Sequence, residues 1–178
     1  MPNHVKNVLR ISGSEKEIDT LMNFVSDDES PFSFDKILPM PPENEMSDEY
    51  QSDPMPRWWY WRNANWNTKW DAYDVEVIRE TENNLCYTFY TAWSPPIPVL
   101  LVLSEIFKTL EFDYEYADED LGYNLGDAII KDGEFLREEC PKEGSNEAFE
   151  KAIKLWDIQD QYQLVDGEYV YAEPLGLN

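Results

Sequence analysis

The chain is poor in the residues on which most catalytic and metal chemistry relies. Its 178 residues include one His, two Cys and seven Gly. A single His, His4, gives no His pair to frame a metal, and neither Cys stands at ligand spacing from it. Nothing in the spacing joins His4 to Ser94 or Cys86 as a base to a nucleophile. Cys86 lies in the strand-like run Leu85-Cys86-Tyr87-Thr88-Phe89 and reads as a small core residue, while Cys140 precedes a proline in a loop. No disulfide is implied. Gly122 and Gly126 are isolated turn glycines, so no phosphate cradle of the Walker or Rossmann kind exists. Asp118-Glu119-Asp120 lacks the alternating ligands and the Gly of a calcium loop. The expectation is no metal and no cofactor.

Long apolar runs are also missing. The longest, Val99 to Leu103, is far too short to cross a bilayer, and residues 1–12 hold no stretch suited to a signal peptide. A cytoplasmic protein of the host cell with no membrane contact is expected. Bases are scarce as well, with 14 Lys and Arg against 37 Asp and Glu, a net charge of −23. Phosphate repels such a surface, which argues against direct nucleic-acid binding and favours a partner with a basic surface. The plain alternative is that the charge keeps the chain soluble.

What is abundant is aromatic. Phe, Trp and Tyr make up 15% of the chain and hydrophobic residues 42%, enough for a proper core at this length. Most of the seven Trp cluster around Asn63-Ala64-Asn65-Trp66-Asn67-Thr68-Lys69-Trp70-Asp71-Ala72-Tyr73-Asp74. Trp58-Trp59-Tyr60-Trp61 stands before it, and Thr91-Ala92-Trp93-Ser94-Pro95-Pro96 stands after it.

Periodicity supplies the elements. Val5 to Ile11 reads as a strand, with Asn7 a flaw on its apolar face. Ser14 and Glu17 have capping-box spacing before a helix that carries Ile18, Leu21, Met22 and Val25 on one side. Phe34 to Leu38 reads as a short extended segment, and about 40–62 as a long loop. Two alternating strands, Tyr73 to Arg79 and Leu85 to Ala92, form a hairpin that pairs Val75 with Phe89 and Val77 with Tyr87. That register sets Trp70 and Asp71 opposite Ser94 and Trp93. Ser94 caps the next helix, which is apolar at Val99, Leu103, Ile106 and Leu110. Glu111 to Tyr116 is a strand, Asp132-Gly133 turns a hairpin, Ser145 caps a third helix, and Asp166-Gly167 turns a last hairpin.

The order is β-α-loop-β-β-α-β, then a hairpin. It predicts an α+β fold: a ferredoxin-like split βαβ antiparallel sheet with two helices on one face, plus a C-terminal helix and hairpin. Residues 1–138 form the predicted domain and 139–178 the extension.

Certain residues also carry a resemblance. Met1-Pro2-Asn3, Phe34-Asp35-Lys36-Ile37-Leu38-Pro39-Met40-Pro41, Asn65-Trp66-Asn67-Thr68-Lys69-Trp70-Asp71-Ala72 and Thr91-Ala92-Trp93-Ser94-Pro95-Pro96 together resemble the Api92-like family, also described as the YubB ferredoxin-like domain. The likeness covers about residues 1–138. It implies a ferredoxin-like fold and an origin in phages, prophages and plasmids, and it implies no catalytic residues. Where the family usually has Gly, this chain has Asn67, a tolerable substitute if the position is left-handed.

The candidate binding residues are Trp58, Trp59, Trp61, Trp66, Lys69, Trp70, Asp71 and Trp93. Trp66, Trp70 and Trp93 read first as the packed end of the sheet, and Trp58, Trp59 and Trp61 as exposed anchors. Lys69 would pair with Asp71 or Asp74. Two functions are expected. The first is a non-enzymatic accessory protein of a phage or other mobile element that acts by protein–protein contact. It would inhibit a host defence or nucleic-acid-binding factor, in its sharpest form by imitating the charge of DNA. The second is a small-molecule or nucleotide pocket, with or without an enzymatic step, lined by Trp66, Lys69, Trp70 and Trp93.

Overall fold

The computed structural model describes residues 2–46 and 55–172. Its main element is a six-stranded antiparallel sheet in the order β2-β3-β1-β4-β5-β6. The strands are β1 (His4–Ser12), β2 (Tyr73–Thr81), β3 (Asn84–Ala92), β4 (Glu111–Asp118), β5 (Leu125–Lys131) and β6 (Glu134–Glu139). The first four have the ferredoxin-like split βαβ order, and the β5–β6 hairpin continues the sheet past β4. Asp132 and Gly133 turn that hairpin with φ of 49° and 78°, the doubly left-handed geometry that favours Asp-Gly.

Helices α1 (Glu15–Val25) and α4 (Ile97–Ile106) cover one face of the sheet. Ile18, Leu21 and Val25 of α1 and Val99, Leu100 and Leu103 of α4 meet Leu9, Ile11, Leu85, Tyr87, Phe89, Phe112 and Tyr114 of the strands in one core. Helix α5 (Asn146–Trp156) lies on the other face, where Ala148 and Ala152 pack against Ala117 and Leu125. Small side chains let the helix approach closely, and the Trp156 indole donates to the Ala117 and Asp118 carbonyls at 3.2 and 3.1 Å. Beyond α5 a separate two-stranded sheet, β7 (Tyr162–Val165) with β8 (Glu168–Tyr171), turns at Asp166-Gly167.

Several local readings change. Ser14 is the N-cap residue of α1, but its side chain accepts no helix amide; its hydroxyl donates to the Glu17 carboxylate at 2.5 Å instead. Ser94 does not cap α4, whose N-cap is Pro96; the Ser94 carbonyl accepts from Thr91 at 2.8 Å. Ser145 does cap α5, accepting from the Ala148 amide at 3.2 Å. Phe34–Ile37 is one helical turn, α2, rather than an extended segment. The region read as a long loop holds a 3-10 turn at Glu43–Glu45 and a helix, α3 (Arg57–Asn65). Its middle, 47–54, lies outside the described residues. Helix α3 escapes periodicity because Trp58-Trp59-Tyr60-Trp61 is aromatic all round, so no polar side marks it. In the β2–β3 hairpin Val77 does face Tyr87, but Tyr73 faces Tyr90, so Val75 does not pair with Phe89. The extra residue is a bulge next to Asp74, which has a φ of 48°. A second register shift falls between Arg79 and Thr81 of β2, and a third separates Ile129 from Ile130, where β5 meets β6.

Asn7, the flaw in the first strand, is fully buried and fully bonded. Its amide donates to Val5 O at 2.9 Å, Phe89 O at 3.3 Å and the Thr91 hydroxyl at 3.0 Å, and its oxygen accepts from the Tyr114 hydroxyl at 2.5 Å. Asn7→Ala leaves several buried groups unpaired and should cost about 3 kcal/mol, whereas Tyr114→Phe strands only one acceptor and should cost about 1–2 kcal/mol. Denaturant unfolding of the two variants and their double mutant measures this. A loss below about 1 kcal/mol for Asn7→Ala would show that the network contributes little.

Candidate functional site

The two Trp-bearing stretches meet at one end of the sheet. Thr68, fully buried, binds the end of β3 through its side chain: its hydroxyl donates to Ala92 O at 3.0 Å and accepts from Ala92 N at 3.1 Å. Asn67 has a left-handed φ of 62°, so Asn supplies there what Gly usually would. Its side chain donates to Pro95 O at 2.9 Å. The expected register set Asp71 opposite Trp93; the bulge beside Asp74 displaces that register, and Lys69 comes to Trp93. The Lys69 ammonium lies 5.0 Å from the Trp70 ring centre and 5.3 Å from that of Trp93. It binds aromatic faces rather than Asp71 or Asp74.

Trp93 is held in place by strong constraints. Its φ is 72°, an uncommon conformation for so large a side chain, and it is 39% exposed. Its amide donates to Asn3 O at 2.9 Å, and its carbonyl accepts from Asn124 at 2.9 Å. Asn124 and Asn3 both donate to Asp118, which is nearly buried. Three strand ends, of β1, β3 and β4, therefore fix one partly exposed Trp.

Aromatic rings continue from this corner. Trp70 is 6.3 Å from Tyr73, Tyr73 is 5.9 Å from Tyr90, and Tyr90 is 5.7 Å from Trp156. His4 shares a hydrogen bond with the Tyr73 hydroxyl. Burial, then the charges of Asp74 and Glu119, push the Tyr73 phenol up to about 12. Those carboxylates, with exposed Asp120, rim the corner in acid.

Asp71 has a structural position. It accepts from the amides of Phe34 at 2.7 Å, Ala72 at 2.7 Å and Asp35 at 3.3 Å, and from the Ser33 hydroxyl at 3.0 Å. It thus pins the start of α2 from across the chain, an anion at free helical N–H groups. Trp66 is a core residue, 1% exposed, with its indole donating to Leu38 O at 2.9 Å and its ring packed on Phe34 and Trp61. A pocket lined by Trp66 is not what this end of the sheet offers.

Trp58, Trp59 and Trp61 lie on α3 and are partly buried rather than fully exposed anchors. Trp61 packs on the core. Trp58 and Trp66 sandwich the Arg62 guanidinium, its centre 5.2 and 5.0 Å from their ring centres. Sequence reading passed over Arg62. The signal was the Trp58, Arg62, Trp66 spacing of four, legible only once 57–65 is seen to be a helix. Among the described residues no group of three or more His, Cys, Asp or Glu could hold a metal, and no helix is long and apolar enough to cross a membrane.

The outer sheet face beside α5 forms an open groove of about 680 Å³. Lys6, Arg10, Lys151 and Lys154 line it with five glutamates, so charge is nearly balanced there in an otherwise acidic chain. Arg10 pairs with Glu115 at 2.5 Å, and Lys151 with Asp127.

A split βαβ sheet extended by one hairpin and backed by a further helix defines a ferredoxin-like protein. Residues 65–159 match the family described as the ferredoxin-like domain in Api92-like protein, and the chain belongs to that family. The match runs from the end of α3 through α5. A solved structure with the same fold is the crystal structure of a protein api92 from Yersinia pseudotuberculosis, with a TM-score of 0.63 and 9% identity over 81% of this chain and 99% of that one. No curated protein matches the chain.

Asp71 makes a testable contribution to pH dependence. Desolvation raises its carboxyl above the ordinary 3.8 and outweighs the four accepted hydrogen bonds. A raised carboxyl binds its proton more tightly folded than unfolded, so Asp71 favours the fold increasingly as pH falls toward the carboxylate range. Asp71→Asn should remove that slope. Thermal midpoints of both proteins between neutral and mildly acid pH should converge or diverge accordingly, wild type gaining on the variant as pH falls. Parallel curves would mean that Asp71 ionises freely.

Proposed function

We propose that this chain is a non-enzymatic accessory protein of a phage or other mobile element, acting by contact with a basic-surfaced protein of the host cell, such as a defence or nucleic-acid-binding factor. The observation that carries this is Trp93. A large aromatic side chain in a left-handed conformation, anchored by three strand ends and still 39% exposed, is strain kept at a surface. Partly exposed Trp and Tyr are the side chains that concentrate binding energy at interfaces. Trp70 and Lys69 support the ring, and Asp74, Glu119 and Asp120 form an acidic rim that would steer a cationic partner.

Imitation of DNA is not part of the proposal. It calls for carboxylates in rows on one face, whereas exposed acids lie on α1 (Glu15, Asp19), on β2 (Glu76, Glu80), on β6 (Glu134, Glu138, Glu139) and on α5 (Glu147, Glu150), with β2 and β6 at opposite edges of the sheet. Such a spread matches what solubility requires.

Retention of host proteins on the immobilised chain, at low and at high salt, tests the contact. A retained basic protein should be released by salt and lost with Trp93→Gly or Trp70→Ala, while Lys154→Ala in the outer groove retains it. Trp93→Gly should also be more stable than Trp93→Ala by about 1 kcal/mol, because Gly adopts the left-handed backbone without penalty. Retention that survives both Trp substitutions would place the contact elsewhere.

A further inference from the structure

We infer that the cleft between α3 and the Pro41-Pro42 turn is a binding site for a small monocarboxylate with a flat apolar body, held by Arg62. The cleft has a volume of about 470 Å³, within the range of small-ligand sites. Met40, Pro41, Pro42, Glu43, Met46, Trp58 and Arg62 line it. It is separate from the Trp93 corner, and the inference stands independently of the function proposed there.

Arg62 is the reason to expect an anion. In a chain with 37 acids, a guanidinium that meets no carboxylate among the described residues calls for an explanation. Among the described residues Arg62 has no ion-pair or hydrogen-bond acceptor, and its Nε is buried with no partner. Stacking between Trp58 and Trp66 fixes the plane of the group. Trp66 is buried in the core and Arg62 lines the cleft, so the guanidinium is held there as a fork between two rings. A planar carboxylate is the natural complement of such a fork.

The walls define the rest of the ligand. Two prolines, two methionines and a Trp offer flat, polarisable surface, and Arg62 is the one base among the lining residues, with Arg57 outside them donating to the Glu43 carbonyl at 3.3 Å. One base faces one acid, Glu43, and the whole chain carries −23. A single negative charge is matched by Arg62, whereas a phosphate dianion would meet repulsion from Glu43 and from the field of the chain. The ligand class is therefore a carboxylate on an aromatic or similarly flat body.

Naphthoate, naphthylmethanol and naphthyl phosphate, titrated into the isotope-labelled full chain, separate the possibilities. Naphthoate should bind saturably and shift the Trp58 indole and Arg62 Nε–H signals, and naphthylmethanol should bind at least about tenfold more weakly. Arg62→Met, which keeps an apolar chain between the two Trp rings, should abolish the preference for the acid. Glu43→Gln should tighten naphthoate, and Trp93→Gly should leave it unchanged. Equal binding of acid and alcohol, tighter binding of the phosphate, or no saturation at millimolar naphthoate would each overturn the inference. Should Arg62→Met fail to fold, the ligand comparison on the wild type and on Glu43→Gln decides it alone.

Discussion

Register in this sheet rests on the side-chain amide of Asn7. It lies in the central strand and bonds to β3 through Phe89 O and Thr91 and to β4 through Tyr114. A slip of one residue in either pairing would expose Asn7's donors to apolar neighbours and turn every strand residue to the wrong face. The energy at stake is that of unpaired buried groups, which exceeds the net gain from making the bonds. Everything at the sheet end inherits this alignment. Asn3, Trp93 and Asp118 come together only because β1, β3 and β4 finish in step.

The same alignment separates the roles of the seven-Trp set more finely than residue type does. Trp66 is core, Trp61 leans on the core, and Trp156 ties α5 to the end of β4. Trp70 and Trp93 flank a lysine at the surface, and Trp58 covers an arginine. In an acidic chain, two bases are thus withdrawn from ion pairing and placed against rings. Aromatic faces attract cations without a formal negative charge, so these contacts are less sensitive to salt than ion pairs.

Much of this architecture was legible in the sequence because it is local or strictly periodic. Strand alternation, the Asp-Gly turns and the Ser145 cap follow from rules that act over a few residues. The meeting of Asn65–Tyr73 with Thr91–Pro96 followed from counting back from a hairpin turn; the stretches do meet, and only the register is off by one residue, because a bulge is invisible to counting. Asp71 was unreadable for a different reason: the free amides it satisfies lie 37 residues earlier in the chain. Helix α3 and Arg62 were hidden together, since an all-aromatic turn has no polar phase and Arg62 acquires neighbours only when the helix exists. Asn7 was visible as an anomaly, and only its partners on two other strands explain it.

The three register shifts, beside Asp74 and between Arg79 and Thr81 in β2 and between Ile129 and Ile130 where β6 is paired, all affect the outermost strands of the sheet. Those strands also carry Glu76 and Glu80 at one border and Glu134, Glu138 and Glu139 at the other. A twisted, like-charged border is a poor template for a neighbouring chain, because added strands would have to bury carboxylates beside carboxylates. An open sheet with exposed Ile78 and Leu136 at its two margins is therefore guarded against joining edge to edge into fibres.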